Sequence, residues 1–296
     1  MSNIFATPDL IAEVAAKLVG ADLNLAGMIH RDIEKDFRTG DGDTVKIRVP
    51  GAVRAGTRGI FDTATPLGSS DLSEQTLSVQ LSEHVFSNVI LSEGDLDLEI
   101  QDFTSRVLYA QTSAIAKHVE RAVATALSAT PESTGIPYDA LDPARTFTAI
   151  RRTLRDAGVP TEAPIMAAVG SSVYAALLDG PDGTFDADGK VRGVTVTEST
   201  RLATGEIVAF VREAFALVVR APAVPQGAPY GASISAEGFA VRHIRSFDSS
   251  VAADRSLVSA FVGIKSMPLA VDLETGVVEL RPNAGAVRVL TATIPV

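Results

Sequence analysis

The chain has 296 residues, of which 46% are hydrophobic and 21% charged. This length accommodates one large domain or two ordinary ones, and the composition is that of a folded chain. A net charge of −10 argues against nucleic-acid binding through basic patches, and the absence of cysteine excludes disulfides, thiolate metal sites and a cysteine nucleophile. The sequence shows neither a signal peptide nor an unbroken apolar stretch of membrane-spanning length, so we expect synthesis in a reducing cytoplasm.

Two helical patterns open the chain. Thr7 suits an N-cap, Pro8 the first helical position and Gly20 a stop, which together predict a helix of about 12 residues. A second pattern with near-helical apolar spacing follows in residues 21–37. We interpret residues 1–42 as an N-terminal helical arm.

The hydrophobic period changes to two after residue 43. Val45, Ile47 and Val49 alternate with Lys46 and Arg48, as in a strand with one polar face. A loop rich in Gly, Pro, Ser and Thr follows, and the segment QTLSVQL then alternates again. The pattern over residues 43–91 therefore predicts an extended loop, a long β-hairpin with a flexible tip. An isolated two-stranded hairpin is only marginally stable in water, so a long one needs a surface to lie on.

A long amphipathic helix is predicted from Glu93 to Ser128. Ser92 and Asp95 have the spacing of a capping box, and the apolar residues that follow recur at intervals that place them on one stripe. At 1.5 Å per residue, such a helix spans roughly 50 Å. It is longer than most helices of globular proteins.

The middle and the tail of the chain predict an α+β fold. Helical patterns occur near residues 143–157 and 171–179, and strand patterns near residues 165–169, 191–197, 207–211 and 214–220. After Phe239 the sequence is almost entirely β in character.

No catalytic constellation emerges from the motifs. Four histidines, none in a metal-binding spacing, lie in different elements: His30, His84, His118 and His243. The segment VGSSVY resembles a nucleophile elbow, but Tyr174 stands where the motif requires its last glycine. Phosphate-loop and dinucleotide-binding motifs are also missing. We therefore expect no enzymatic activity and no cofactor.

Two aspartate-rich loops leave a metal-binding alternative open. Asp182, Asp186 and Asp188 hint at a calcium loop, but the ligand spacing of an EF-hand and its closing glutamate are missing. Asp41 and Asp43 in TGDGDT have no further oxygen ligands nearby. The preference of Asp and Gly for turns explains both loops better than a metal site does. A soluble α+β enzyme that uses a divalent metal at the first three aspartates is the alternative from another functional class.

The order of these parts resembles the major capsid (coat) protein of tailed bacteriophages, with the Hong Kong ninety-seven-type shell fold. Four segments are similar to those of the actinophage and podophage coat subfamily: TPDLIAEVAAKL, MIHRDIEKDF leading to GDTVKIRVP, LSEHVFSNVILSEGDLDLEIQDF and GFAVRHIRSF. The resemblance covers nearly the whole chain. It rests on the order of apolar and turn patterns and not on a catalytic signature.

The resemblance implies a phage capsid fold with an N-terminal arm, an extended loop, a peripheral domain and an axial domain. The spine helix would occupy residues 92–137, the axial domain residues 138–239, and the returning strands that complete the peripheral domain residues 240–296. The implied function is self-assembly, through pentamers and hexamers, into an icosahedral head that encloses double-stranded DNA in the virion. A separate scaffolding protein, a portal and a decoration protein are the implied partners. An encapsulin-like bacterial nanocompartment shell is the alternative on the same fold.

Charge is divided unevenly along the predicted hairpin and the helix after it. We call the cations before Ile60 the basic limb: Lys46, Arg48, Arg54 and Arg58. We call the following acids the acidic run: Glu83, Glu93, Asp95, Asp97 and Glu99. Opposite potentials steer and orient docking, so we hypothesise that the basic limb of one subunit meets the acidic run of its neighbour. The alternative is that both are solvated faces.

Overall fold

The computed structural model describes most of the chain. The described residues are 8–31, 42–49, 53, 55–64, 66–67, 69, 74–92, 107–180, 184–186, 188–228, 230–236, 238–250, 253–272 and 277–291. Their helices are α1 (Pro8–Ala21), α2 (Leu25–Met28), α3 (Tyr109–Ser128), α4 (Pro143–Asp156) and α5 (Ser171–Leu178). Their strands are β1 (Thr44–Val49), β2 (Gln75–Gln80), β3 (Glu83–Ser92), β4 (Ile165–Val169), β5 (Lys190–Val191), β6 (Val194–Glu198), β7 (Glu206–Val211), β8 (Phe215–Arg220), β9 (Tyr230–Ala236), β10 (Phe239–Asp248), β11 (Ala253–Ser266), β12 (Leu269–Asp272), β13 (Val278–Arg281) and β14 (Ala286–Leu290). Across these ranges, no helix has the length and apolar character needed to cross a membrane.

The chain forms two compact units. Unit one comprises Met1–Val45, Val79–Ala129 and Phe215–Lys265, and unit two comprises Lys46–Ser78, Thr130–Ala214 and Ser266–Val296. Unit one contains a sheet in the order β3-β11-β10-β9, in which neighbouring strands are antiparallel and β8 also pairs with β11. The range 43–91 that was predicted to be one long hairpin contains two strands after its tip, β2 and β3, and β3 pairs with β11. Among the described residues of the hairpin, β2 pairs with β1, whereas β3 belongs to the larger sheet.

Helix α1 forms part of the core of unit one. It packs against β9, β10 and α3. Its buried stripe consists mainly of small residues, which allow close approach of the backbones: Ile11, Ala12, Ala15, Ala16 and Val19. The sequence interpretation placed this helix in an arm because its pattern shows an apolar stripe but not the partner that covers it.

Helix α3 is the described part of the predicted spine. It ends at Ser128, as expected, and one face is buried through Ile115, Val119 and Leu127. The predicted first turns of the spine, residues 93–106, lie outside the described residues.

A buried carboxylate on α3 holds the start of α2. Glu120 has no exposed surface. It accepts hydrogen bonds from the backbone N–H groups of Asn24, Leu25 and Ala26 at 2.8, 3.0 and 2.9 Å. A helix start leaves N–H groups without intrahelical partners, and a carboxylate at that end also suits the helix dipole. Glu120 therefore ties residues 24–26 to α3 within unit one.

A buried polar network joins α3 to three strands of the same sheet. The Gln111 amide donates to the carbonyl oxygens of Ser87 and Ser256 at 3.1 and 2.8 Å. The Ser256 hydroxyl donates to Gln111 Oε1 at 2.8 Å, and its oxygen lies 3.1 Å from His243 Nε2. Burial, and then the nearby Arg245 guanidinium, lowers the pKa of His243 to about 4. His243 is thus neutral in the folded protein near pH 7.

Unit two has a sheet in the order β14-β7-β4-β6-β5. Strands β4 and β6 are parallel, whereas β7 runs antiparallel to both β4 and β14. Helix α4 packs against α5 and β14 and buries Phe147, Ile150 and Leu154. Arg288 donates to the buried Glu206 carboxylate at 2.6 Å, which links β14 to β7 by a charge-assisted hydrogen bond.

Two parts of the sequence-based domain assignment differ from these units. Residues 215–239 were placed in the axial domain, but β8 and β9 pair with β11 and β10 in unit one. Residues 240–296 were placed together, but the part after residue 265 belongs to unit two, where β14 pairs with β7. Both differences arise from pairings between strands far apart in sequence, which local periodicity does not encode.

We predict that Glu120→Ala destabilises the subunit by about 3 kcal/mol, because three backbone N–H donors, two of them in buried hydrogen bonds, lose their acceptor. Urea unfolding of the unassembled subunit measures the change. Glu162→Ala, at an exposed position, is the matched control and should stay within about 0.5 kcal/mol of wild type. Equal midpoints for both variants would contradict the role of Glu120.

We predict that His243 makes folding stability depend on pH. Its folded pKa, about 4, lies below the ordinary histidine pKa of 6.5. The unfolded chain therefore binds this proton first, and stability falls as the pH drops from 6.5 towards 4, by up to about 1.4 kcal/mol per pH unit. Above about pH 6.5, His243 is neutral in both the folded and the unfolded chain, so this loss of folding stability is absent. Urea midpoints between pH 7.5 and 4.5 should show a flatter dependence for His243→Asn than for wild type, and parallel curves would contradict the assignment.

Candidate assembly surface

Hydrogen bonds around Asp43 close the base of the hairpin. Leu81 N–H donates to the Asp43 carbonyl oxygen at 2.7 Å. The side chains of Gln80 and Thr44 donate to the Asp43 carboxylate at 2.7 and 3.0 Å. The hydrogen bonds from Gln80 and then Thr44 lower the pKa of Asp43. Its carboxylate thus accepts hydrogen bonds at the start of a strand, and Asp41 lies outside the described residues.

Close backbone contact between β11 and the end of β2 also holds the base of the hairpin. Gly263 of β11 lies against the backbone of Gln80 and Leu81, so closely that an added Cβ would collide with the Gln80 carbonyl oxygen. Ser82 N–H donates to the Val262 carbonyl oxygen at 3.1 Å beside it. Val79 is fully buried. The end of β2 is therefore firmly held within unit one.

The structure bears out the predicted alternation on β1. Val45 and Val49 are buried, whereas Lys46 and Arg48 are exposed on the opposite face. Arg48 Nη1 lies 4.0 Å from Glu74 Oε2, a solvent-exposed pair of the kind that contributes about 0–1 kcal/mol. Both cations of the basic limb on this strand are thus accessible to another molecule.

The remaining charged residues of the prediction are only partly described. Arg58 is exposed, and Arg54 lies outside the described residues. Glu83 is exposed at the start of β3, and its carboxylate lies 2.8 Å from His118 Nε2 on α3. The other acids of the acidic run also lie outside the described residues: Glu93, Asp95, Asp97 and Glu99. Contact between the two charge groups stays a prediction.

The hairpin tip exposes apolar side chains that the sequence interpretation overlooked. Ile60 and Phe61 are each 95% exposed, and Leu67 is 79% exposed. The signal was available, since GIFD is an apolar pair inside a stretch otherwise rich in turn residues. Large apolar side chains exposed in this way are typical of binding surfaces when they cluster.

Part of the outer face of the unit one sheet is also apolar and exposed. Phe86 and Ile90 of β3 point to solvent, and the His84 ring lies 5.6 Å from Phe86 and 4.9 Å from Phe261 between ring centroids. Burial, and then the charge of Arg242, lowers the pKa of His84. A neutral imidazole between two aromatic rings adds to the apolar character of this face.

The aspartate loop of unit two behaves as a turn where it is described. Asp186 N–H donates to the Lys190 carbonyl oxygen at 2.7 Å, and Gly189 N–H donates to the Asp186 carbonyl oxygen at 2.9 Å. Asp182 lies outside the described residues. Within the described part of the chain, no three histidine or acidic side chains are grouped so that they could hold a metal ion.

Comparisons with known proteins give one consistent result. The sequence matches no family model and no curated protein. Its structure is similar to a chain of Mycobacterium phage Che8, with 17% identity, 90% of each chain covered and a TM-score of 0.58. It is also similar to the capsid of Ralstonia phage GP4, with 9% identity, 100% of this chain and 94% of that chain covered, and a TM-score of 0.58.

A third similar structure is a virus-like particle from Pyrococcus furiosus, with 12% identity, 94% of this chain and 97% of that chain covered, and a TM-score of 0.50. The mixed α+β architecture and these likenesses define the class: the chain has the fold of phage capsid proteins. The fold class predicted from the sequence is thereby confirmed.

We predict that Gly263→Ala destabilises unit one by about 1–3 kcal/mol, because the new methyl group must push β11 away from the Gln80 backbone. Gly227→Ala is the matched control, since an added Cβ there has nothing within 4 Å. Thermal and urea unfolding measure the difference. Equal stabilities for the two variants would show that the hairpin base is not tightly packed against β11.

Proposed function

We propose that this chain is a shell subunit, the major capsid protein of a tailed phage, and that assembly is its activity. The observation that carries the proposal is the capsid fold matched over the whole chain by the Ralstonia phage capsid. Subunits of this kind form pentamers and hexamers that close into an icosahedral head around double-stranded DNA. A separate scaffolding protein, a portal and a decoration protein are the partners that we propose, and the mature location is the virion.

The exposed hairpin supports self-association. Identical subunits that use a heterologous contact form rings when the rotation closes, and rings of five and six are the building blocks of an icosahedral shell. The basic limb presents Lys46, Arg48 and Arg58 to solvent. Each exposed ion pair contributes only about 0–1 kcal/mol, but a shell repeats the same contact hundreds of times. The acidic run of a neighbouring copy is its proposed partner.

A second candidate is a nanocompartment shell of the encapsulin kind. The likeness to the virus-like particle from Pyrococcus furiosus favours it, although its TM-score is lower than that of the two phage structures. The two candidate shells differ in the material that they enclose. A phage head packages double-stranded DNA, whereas a compartment shell carries protein cargo.

Electron microscopy of the purified protein, with size-exclusion chromatography, tests the proposal. We expect uniform hollow particles or capsomer rings, alone or after addition of a scaffolding protein from the same source. A subunit that remains monomeric under all these conditions would overturn the proposed function. Particles from the native source that hold protein and no DNA would favour the compartment shell.

We predict that the double variant Arg54→Glu/Arg58→Glu reduces assembly at low salt by about tenfold, because attraction across the contact becomes repulsion. The control is Arg145→Glu/Arg152→Glu, which makes the same change in net charge on the exposed face of α4. Light scattering follows assembly, and the difference should shrink at high salt as the charges are screened. Equal assembly of both variants at low salt would contradict the electrostatic contact.

A further inference from the structure

Helix α4 concentrates positive charge on one side. Its 14 residues include one acid, Asp156, and four arginines: Arg145, Arg151, Arg152 and Arg155. At 100° per residue, the arginines fall within an arc of about 120°, whereas Phe147, Ile150 and Leu154 lie on the buried side. The whole chain has a net charge of −10, so the sign of this face is opposite to that of the molecule. The total charge, which argues against nucleic-acid binding, therefore hides a local basic surface.

Nearby acids compensate two of the four arginines. The Arg145 guanidinium lies 3.9 and 3.5 Å from the carboxylates of Asp139 and Asp142. The Arg152 guanidinium lies 3.4 Å from the Asp156 carboxylate. Arg145 and Arg152 therefore extend the positive face of α4, but their own charge is partly neutralised within the subunit.

Neutral acceptors hold the other two arginines. Arg151 Nη1 donates to the Arg192 carbonyl oxygen at 3.2 Å, and Arg155 Nη2 donates to the Ala163 carbonyl oxygen at 3.0 Å. Carbonyl oxygens orient a guanidinium but carry no charge that would cancel its own. Across the part of the chain that the structure describes, neither arginine forms an ion pair with an acid. Both positive charges stay uncompensated.

The turn that Arg151 contacts brings a third cation to this surface. Strand β5 ends at Val191 and β6 begins at Val194, so Arg192 and Gly193 form a two-residue hairpin turn. Their φ angles are 52° and 76°, as in a type I′ turn. That turn favours Asn-Gly or Gly-Gly, and the left-handed conformation strains an arginine at its first position. The Arg151 guanidinium packs so closely against Gly193 that an added Cβ would collide with it.

Folding of the subunit does not by itself explain Arg192. Its side chain is exposed, and the turn requires freedom in φ and not a charge. Its carbonyl oxygen holds the Arg151 guanidinium, so two residues of like charge are brought together. Backbone strain and neighbouring like charges both disfavour the free subunit. A bound anion would compensate both cations, which points to an anionic partner.

We propose that Arg151, Arg155 and Arg192, which we call the basic patch, bind the phosphate backbone of the double-stranded DNA that the shell encloses. This inference rests on the proposed shell function and adds a contact that assembly does not require. Arginine suits the role, because its planar guanidinium binds a phosphate through two parallel hydrogen bonds. Contacts to phosphates carry no sequence information, so the patch holds DNA of any sequence.

Spacing and repetition favour DNA over an acidic protein. Arg151 and Arg155 lie one helical turn apart, about 6 Å along α4, which is close to the rise of two nucleotides in one DNA strand. Phosphates recur at this spacing along the whole duplex. Identical subunits of a shell present the patch at regular intervals as well. A regular array of weak contacts therefore meets a regular polyanion, and the contacts add through multivalency.

Chemical labelling of arginines in native particles tests this contact. Phenylglyoxal modifies accessible guanidinium groups, and mass spectrometry of proteolytic peptides locates the modified residues. DNA-filled heads are compared with heads of the same preparation that osmotic shock and nuclease have emptied. We expect the labelling of Arg151 and Arg192 to rise at least about fivefold after emptying, because phosphates no longer cover them.

Arg121 is the matched control, since it is an exposed arginine on α3 outside the basic patch. Its labelling should be equal in filled and emptied heads. Equal labelling of Arg151 and Arg192 in the two preparations would overturn the DNA contact and leave the shell function standing. Native particles that hold no DNA would overturn the enclosure of DNA and this contact together.

Binding of a fluorescent 30-base-pair duplex to the purified full-length subunit is a second test. Arg192→Gly removes the cation and suits the positive φ, so it should keep or raise the unfolding midpoint. It should lower the affinity for the duplex at least about fivefold at low salt, because one phosphate contact is lost. Arg121→Gln, which removes one charge from α3, should bind like wild type.

Salt and a competing polyanion complete this test. With three phosphate contacts, the affinity of the wild-type subunit should fall roughly 40-fold between about 50 and 200 mM salt. Equal affinities of Arg192→Gly and Arg121→Gln would contradict the inference, as would a wild-type subunit that does not bind the duplex. Tighter binding of fluorescent polyglutamate than of the duplex would assign the patch to an acidic protein and overturn the DNA contact.

Discussion

A two-stranded β-hairpin is only marginally stable in water, and this chain builds one from β1 and β2. The hairpin therefore needs support from other parts of the structure. At its base, the hydrogen bonds of Asp43 and the close approach of Gly263 to the Gln80 backbone hold residues 43 and 80–81, which belong to unit one. At its tip, Ile60 and Phe61 have no such support from the described residues, since each is 95% exposed. A segment that is rigid at one end and apolar at the other is suited to contact another molecule.

In unit one, buried polar groups join elements that packing alone could let slide. Glu120 ties residues 24–26 to α3, and the network of Gln111, Ser256 and His243 ties α3 to the sheet. Buried polar groups are costly unless they are satisfied, so each such connection also specifies one arrangement over its alternatives. The proposed shell repeats one subunit many times by symmetry, and a single well-defined arrangement of that subunit suits such repetition.

Local patterns predicted local elements well. The alternation through Val45 and Val49 located β1, Pro143 marked the start of α4, and the apolar stripe ending near Leu127 located the end of α3. Pairings across long sequence distances could not be read in this way. The sequence did not reveal that β3 leaves the hairpin to pair with β11, or that β14 joins β7. Of the candidate surface, charge patterning predicted the exposed cations of β1. The apolar tip was overlooked although the sequence signalled it, as the apolar pair of GIFD within a stretch otherwise rich in turn residues.

A cryo-electron microscopy reconstruction of assembled particles tests the proposed assembly through the hairpin most directly. We predict density for residues 46–78 of each subunit lying over unit one of a neighbouring subunit, with the turn at Ile60 and Phe61 in contact with it. A reconstruction in which this hairpin touches only its own subunit, or projects into solvent without a neighbour, would contradict the account.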